Sequence, residues 1–254
     1  MSSRLLSAPG LWSPWHKAAL NLLWPAHCTA CDATLAADHA LSRFCPDCTA
    51  SLSPVTSPFC AICCEPFTGA IANDFTCPNC MGQPQHYAFA VAAFMSRGPI
   101  RAAIHHFKYG RRIALRLPLA SLLLNALNDP RIAARKDWIL VPVPLHPRRL
   151  REREFNQSAE LANSLSSLSG LPVVNALRRL RYTSTQAALR REDRLLNLKS
   201  AFDLRWRAAR HTSNRPILLV DDVLTTGSTA NACAAILKQK GAAQTVAVLT
   251  VARG

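Results

Sequence analysis

Residues 217–230 read ILLVDDVLTTGSTA, an apolar run that contains two adjacent aspartates and leads into hydroxyl residues and one glycine. A short apolar run bounded by turn residues predicts a buried strand of a parallel sheet. We expect the apolar core of this strand to stop at Val220, which places Asp221 and Asp222 at its carboxyl end. Because open α/β sheets bind ligands beyond the carboxyl ends of their strands, the acid pair predicts a binding site.

The segment after the acid pair predicts a phosphate site. A helix is expected from Ser228 to Lys240, and its first turn presents free N–H groups and the positive end of the helix dipole. Gly227 lets the backbone approach a ligand closely, and the hydroxyls add donors, one of which is expected to cap the helix. The predicted phosphate-binding residues are Thr225, Thr226, Gly227, Ser228 and Thr229.

The two aspartates indicate a sugar beside the phosphate. Carboxylates repel phosphate, but they accept hydrogen bonds from sugar hydroxyls and bind Mg²⁺ directly or through water. The combination predicts a ribose 5-phosphate, with Asp221 and Asp222 as candidate catalytic residues that hold the sugar. The alternative is an ordinary strand–turn–helix connection, but an acid pair at a buried strand end is costly without a partner. No Walker A lysine follows the loop, which disfavours an NTPase.

Short apolar runs alternate with helical segments along much of the chain. Strands are expected at 87–94, 138–143, 172–174, 216–223 and 244–251, and helices at 100–107, 113–127, 155–168 and 228–240. The alternation predicts β-α-β units, and therefore a parallel sheet flanked by helices. The arginine-rich segment 178–200 has few aliphatic residues and is expected to be mobile.

Nine of the ten cysteines lie between Cys28 and Cys80, and eight of them form four Cys-x-x-Cys pairs. Each cysteine of the first half recurs 32 positions later, so the segment is an internal repeat. Each half supplies four thiolates at a spacing that suits one tetrahedral zinc ion. We predict two structural zinc ions, one held by Cys28, Cys31, Cys45 and Cys48 and the other by Cys60, Cys63, Cys77 and Cys80. A cross-brace, with the first and third pairs sharing an ion, and a disulfide scaffold are the alternatives.

Charge divides the chain unevenly. The net charge is +15, but residues 1–86 hold three basic and five acidic residues, so the remainder carries +17. Such a basic domain indicates an anionic partner, such as phosphate, pyrophosphate or a nucleic acid backbone, or else an arginine-rich soluble surface. We find no signal peptide and no apolar run long enough to span a membrane, and we expect a cytoplasmic protein. The expected parts are a tail with a short helix at 1–24, a double zinc ribbon at 25–84 and an α/β domain at 87–254.

The stretch at 217–230 resembles the phosphoribosyl pyrophosphate (PRPP) motif of type I phosphoribosyltransferases. The resemblance implies a type I phosphoribosyltransferase-like sheet and PRPP bound together with Mg²⁺. It also implies a pyrophosphate loop after an earlier strand, here Pro144, Leu145, His146, Arg148 and Arg149. Arginines suit this role because a guanidinium donates two hydrogen bonds to phosphate oxygens, although the same arginines fit a solvated charged face.

A second arginine-rich stretch, Arg178 to Arg194, fits a loop that closes over PRPP and excludes water. Its candidate binding residues are Arg179, Thr183 and Gln186. The alternative is a disordered basic loop with no binding role.

The chain from Cys28 onward resembles the competence protein F (ComF) family. The resemblance rests on the cysteine pairs, the PRPP motif, residues 104–108, 141–146 and 155–157, Arg179-x-Arg-x-Thr-x-x-Gln186, and Arg194-x-x-Asn197 with Ala201-Phe202. It implies a cytoplasmic role in DNA uptake or DNA utilisation, with single-stranded DNA or a DNA-uptake helicase as candidate partners. One position departs from the family pattern, because Glu154 stands where we expect glycine before Phe155.

Two functions are consistent with these features. The first is a phosphoribosyltransferase that releases pyrophosphate from PRPP, and its acceptor is not identified by any segment. The alternative is a non-catalytic accessory protein that senses PRPP or binds single-stranded DNA.

Overall fold

The computed structural model describes residues 26–35, 43–67, 69, 75–82, 84–182 and 200–254. Its strands are β1 (Ala90–Met95), β2 (Ile139–Pro142), β3 (Leu177–Arg179), β4 (Phe202–Leu204), β5 (Pro216–Leu224) and β6 (Thr245–Arg253). Its α-helices are α1 (Pro46–Ala50), α2 (Gly98–Tyr109), α3 (Arg116–Ala126), α4 (Pro130–Ala133), α5 (Pro147–Arg153), α6 (Gln157–Ser169), α7 (Ala209–Thr212) and α8 (Ser228–Gln239), and a 3₁₀ turn covers Ile113–Leu115. In the described part of the chain, no helix is both long enough and apolar enough to cross a lipid bilayer.

A four-stranded parallel sheet forms the centre of the α/β domain, with the strand order β1-β6-β5-β2. The two central strands, β5 and β6, are apolar along most of their length because both of their faces are covered, as expected for a parallel sheet. The predicted fold class is therefore confirmed: a parallel sheet flanked by helices follows a small cysteine-rich module.

The two faces of the sheet pack against different elements. Alternate residues of a strand point to opposite faces, so Leu218 and Val220 belong to one apolar cluster, whereas Ile217 and Leu219 belong to the other. The first cluster includes residues of α2, α3, α6 and the first cysteine ribbon, and the second includes residues of α8. A leucine truncated to alanine in such a core costs ~2–5 kcal/mol, so these contacts fix where β5 ends relative to the helices.

Some predicted elements differ from the observed ones. The strand expected at 172–174 is reduced to a single bridge between Val173 and Leu140. The segment expected to be mobile from residue 178 instead begins in β3, which pairs antiparallel with β4, and Arg178 is held there by an ion pair with Asp203. Helix α5 was not predicted, because its PRRLRER sequence lacks an apolar face.

Candidate functional site

The acid pair lies inside β5 and not after it. The strand continues to Leu224, one residue beyond its predicted end at Val223, and Asp221 pairs with Thr250 of β6, so two further strand residues follow the acid pair. The ladder continues because β6 is equally long and keeps supplying partners as far as Arg253. The two acids therefore have strand geometry, and the chain turns only at Thr225.

Asp221 is held by the start of helix α6. The Ser158 hydroxyl donates a hydrogen bond of 2.8 Å to Asp221 Oδ1, and the Asp222 backbone N–H donates to the same oxygen at 2.9 Å. Burial and, second, the charge of Asp222 raise the pKa of Asp221 to about 6, whereas Lys108 and Ser158 oppose the shift. The carboxyl is therefore mostly ionised at pH 7 and protonated at pH 5.

Asp222 is buried and forms an ion pair with Lys108, whose Nζ lies 2.7 Å from Asp222 Oδ1. Lys108 belongs to the last turn of α2, and sequence reasoning assigned it no role. Because a buried carboxylate without a partner is strongly unfavourable, the ion pair with Lys108 offsets the cost of placing the second acid in the strand.

The predicted phosphate loop leads into the first turn of helix α8, which has no strong side-chain cap. Gly227 has φ +74°, and a Cβ there would lie 2.9 Å from the Tyr87 hydroxyl, so its small size is required by conformation and by space. Gly227 precedes α8 and has no side chain to cap it; the predicted hydroxyl cap is present only as a 3.5 Å contact between Ser228 N and Thr226 Oγ1. Thr225 is exposed and Thr229 is half-buried. Backbone N–H groups of this first turn are available to an anion.

The predicted pyrophosphate loop surrounds Tyr182. The Arg148 and Arg149 guanidinium groups lie 4.7 and 5.7 Å from the centre of its ring, and the His146 ring lies 5.4 Å away. His146 also caps α5, because its Nδ1 accepts from Arg148 N at 3.2 Å. Pro144 is buried and Leu145 is half-buried, so these two position the turn. Tyr182, which sequence reasoning missed, is the last described residue before 183–199.

Arg179 connects this loop to the acid pair electrostatically. Its guanidinium lies 5.2 Å from the centre of the Phe202 ring. Burial lowers the pKa of Arg179, the positive charge of Arg149 lowers it further, and the Asp221 carboxylate opposes the shift. Thr183 and Gln186, the other two predicted residues of the flexible loop, lie outside the described residues.

Glu154 occupies the position where the family pattern has glycine. It ends α5 with φ 69°, a left-handed conformation that costs a non-glycine residue ~1–2 kcal/mol. Its carboxylate forms an ion pair with Arg111, in which Glu154 Oε1 lies 2.7 Å from Arg111 Nη1. The next turn is fixed by Asn156, which donates to Val143 O at 3.0 Å and accepts from Ser158 N. The substitution therefore keeps the turn that a glycine would make.

The eight predicted zinc ligands form two separate clusters. In each cluster the four Sγ atoms lie within 4.8 Å of one another, and the cross-brace alternative is wrong because each cluster draws on one half of the repeat. The Cys31–Cys45 and Cys63–Cys77 Sγ distances are 3.7 and 3.6 Å. Zinc–sulfur bonds of ~2.3 Å give tetrahedral edges of ~3.8 Å, so both sites fit zinc.

Burial opposes ionisation of Cys28, but backbone hydrogen bonds outweigh it and lower its pKa to about 6, which favours the metal-binding thiolate.

The second cluster lies next to the phosphate loop, and one buried arginine joins them. Arg253, the last residue of β6, donates to Cys63 O and to Leu224 O, both at 3.0 Å, and pairs with Glu65. Leu224 directly precedes Thr225. A cavity of about 300 Å³ between the two parts is lined by Cys63, Glu65, Asn79, Cys80, Thr225, Thr226, Arg253 and Gly254. Sequence reasoning had no signal for Arg253, because its partners are 29 and 190 positions away.

These features describe an α/β protein that carries an acid pair and an anion-binding loop, preceded by two four-cysteine ribbons. A double zinc ribbon domain family matches residues 19–81. Competence protein F of Haemophilus influenzae is 33% identical over 65% of this chain and 73% of its own, and DNA utilization protein YhgH of Salmonella typhimurium is 32% identical over 86% and 93%. A solved structure of the allosteric regulatory enzyme of purine biosynthesis is 15% identical, with a TM-score of 0.37, over 58% of this chain and 30% of that one. The chain belongs to the competence protein F family.

Proposed function

We propose that this protein binds PRPP with Mg²⁺ at the carboxyl end of β5 and acts in DNA uptake or DNA utilisation. The observation that carries the proposal is the continuous arrangement of a partnered acid pair, the Gly227 turn and the open first turn of α8. The names of the relatives, competence protein F and DNA utilization protein, support the cellular role.

Each part of PRPP has a chemically suitable set of residues. The N–H groups and hydroxyls of residues 225–229 bind the 5-phosphate, and the Asp221 and Asp222 carboxylates accept hydrogen bonds from the ribose hydroxyls. Arg148, Arg149 and His146 bind the pyrophosphate, with Arg179 between them and the acid pair. Mg²⁺ supplies positive charge that stabilises the departing pyrophosphate.

The acid pair suits a neutral sugar better than a second phosphate. Asp222 shares its charge with Lys108 at 2.7 Å, and Asp221 keeps a pKa of about 6 because burial and the neighbouring Asp222 charge favour its protonated form. Sugar hydroxyls that donate to these oxygens stabilise the ionised pair without adding negative charge. The site therefore separates a sugar-binding half from a phosphate-binding half.

The formation of reaction products distinguishes a catalytic role from a sensing role. The protein is mixed with PRPP, Mg²⁺ and candidate nucleobase or amine acceptors, and pyrophosphate release and ribosylated products are measured by mass spectrometry. A transferase yields both, and Asp221→Asn/Asp222→Asn abolishes them. Saturable PRPP binding without any product supports the sensing alternative, and pyrophosphate release that survives in the double variant removes the catalytic role of the acids.

Binding of single-stranded DNA is the second candidate function, favoured by the +17 charge of residues 87–254. A DNA-uptake helicase is the corresponding protein partner. The DNA proposal is independent of the PRPP site, since a distinct basic surface serves it.

A further inference from the structure

One tryptophan is exposed in the middle of a basic segment. Trp206 is 80% exposed, whereas Trp138, the other tryptophan among the described residues, is 2% exposed and donates its indole N–H to Ile132 O. Trp138 shows where this fold places an indole that serves packing. Trp206, between β4 and α7, contributes little to the core and presents a large flat apolar ring to solvent.

The charges around Trp206 all have one sign. Residues 204–215, LRWRAARHTSNR, contain four arginines and one histidine and no acidic residue. Of the ion pairs between described residues, none involves Arg205, Arg207 or Arg210. Asp203, the acid nearest in sequence, is already paired with Arg178 and Lys240. The segment therefore offers uncompensated positive charge next to the ring.

The arginines and the indole form one concave surface. A cavity of about 370 Å³ is lined by Trp206, by Arg205, Arg207, Arg210 and His211, and by residues 173–175. The Arg207 guanidinium lies 3.9 Å from the centre of the Trp206 ring, and Arg207 has φ 60°, which costs a non-glycine residue ~1–2 kcal/mol. Because Trp206 stays 80% exposed beneath this guanidinium, its ring remains available for a second planar group.

This surface lies toward the opposite end of the sheet from the phosphate loop. Helix α7 precedes β5, and Val173 pairs with Leu140 near the start of β2, so the surface lies at the edge where the parallel strands begin. Leu140 pairs with Leu218, and at ~3.3 Å per residue Leu218 lies roughly 20 Å along β5 from Leu224, which precedes the phosphate loop.

We propose that this surface binds single-stranded nucleic acid, with a base stacked on Trp206 and adjacent phosphates on Arg205, Arg207 and Arg210. An exposed indole flanked by arginines suits unpaired bases, whose faces are open, and does not suit a duplex, whose bases are already stacked. An acidic peptide would use the arginines but has no planar group for the ring. The proposal rests on the second candidate function above and not on PRPP binding.

Fluorescence anisotropy with a labelled oligothymidylate, measured across a range of salt concentrations, tests the surface. Trp206→Ala is expected to weaken binding at least about 5-fold, since stacking contributes ~1–3 kcal/mol per base, whereas Trp206→Phe keeps most of the affinity. Arg207→Gln/Arg210→Gln is expected to lower the salt slope by ~1.4, because each phosphate that an arginine neutralises on a single strand accounts for ~0.7. Arg101→Gln, which removes an exposed charge from α2, is the matched control and leaves the slope unchanged.

Three outcomes overturn the proposal: no binding of the oligonucleotide by the wild type, equal affinities of the wild type and Trp206→Ala, or a preference for duplex of the same sequence. PRPP affinity is measured on the same variants. It stays unchanged in Trp206→Ala, so failure of the DNA surface and failure of the PRPP site are separate results. Thermal unfolding checks folding, which an 80% exposed residue hardly affects.

Discussion

The two four-cysteine ribbons share one spacing but have different surroundings. In the first, Cys31 is exposed and Cys48 is half-buried, whereas all four cysteines of the second are buried. The first contacts α2 through a 3.4 Å contact between Thr29 O and His106 Nδ1, and the turn after α2 through the exposed ion pair Asp32–Arg112. The second reaches the end of β5 through the buried Arg253.

The two copies of the cysteine motif therefore have different structural roles. The second ribbon forms one wall of the cavity beside Thr225 and Thr226, so a metal held by its cysteines would fix that wall. The first ribbon packs on the helix that carries Lys108 through buried apolar residues; its ion pair with Arg112 is exposed to solvent, and it does not line this cavity. Loss of metal from the second ribbon should therefore weaken ligand binding at the proposed PRPP site strongly. Loss of metal from the first ribbon should weaken it only slightly.

The largest contrast is expected from removing one ligand of each ribbon. Cys77→Ser and Cys45→Ser should each lose one of the two zinc ions, because a ribbon of this size folds only around its metal. Cys77→Ser should weaken ribose 5-phosphate binding about tenfold or more, whereas Cys45→Ser should change it less than about threefold. Zinc content by mass spectrometry and binding by calorimetry measure both; equal reductions in affinity would mean that the two ribbons support the site equally.

The next effect concerns Arg253 itself. Arg253→Met leaves the Cys63 carbonyl without its buried side-chain donor and leaves Leu224 O with only the Gly254 N–H, at a cost of ~1–3 kcal/mol in the free energy of unfolding. Ribose 5-phosphate binding should fall while pyrophosphate binding, which uses the loop after β2, stays within about twofold. Arg253→Lys keeps one charged donor and should recover part of the affinity. A parallel decrease for both ligands would indicate general unfolding and contradict a local role.

A pH titration distinguishes the contribution of the acid pair to ligand binding from that of either ribbon. Asp221, with a pKa of about 6, favours the protonated form in the folded protein, so its contribution to stability is present at low pH and lost as pH rises through 6. In the proposed site its ionised form binds the ribose, so affinity for ribose 5-phosphate should rise from pH 5 to pH 7.

The ligand phosphate also titrates near pH ~6, and this contribution is common to all variants. Asp221→Asn should therefore flatten the profile by about tenfold between pH 5 and 7 relative to the wild type, whereas Arg253→Lys should lower the whole profile without changing its shape. An unchanged profile in Asp221→Asn would remove Asp221 from the site.

The smallest effect is expected where the first ribbon contacts Arg112, in the turn after α2. Asp32→Asn removes the exposed pair with Arg112, in which both side chains are nearly half exposed, and should change stability by less than about 1 kcal/mol. Urea unfolding measures the change, which high salt should reduce further because exposed pairs are screened. A decrease as large as that of Arg253→Met would mean that the two ribbons are attached equally firmly.

Local patterns allowed much of the fold and of the candidate site to be predicted from the sequence. The repeat identified both ligand sets, and the apolar run with its acids and glycine identified β5 and the start of α8, because ligand spacing and strand periodicity are short-range signals. Lys108, Ser158 and Arg253 were missed as contacts of the site, since each meets its partner only after folding; Ser158 is 63 positions from Asp221. Strand β5 extends one residue beyond its predicted end at Val223, because its last residues are set by pairing with β6.

Calorimetric titration of PRPP in the presence of Mg²⁺ is the decisive test of the sugar-phosphate site. The wild type should bind PRPP at one site per chain, ribose 5-phosphate should compete, and Asp221→Asn/Asp222→Asn should weaken binding at least about tenfold while melting as a folded protein. PRPP binding of equal strength in the double variant, or no binding by the zinc-loaded wild type, would contradict the assignment of this acid pair and loop to a sugar phosphate.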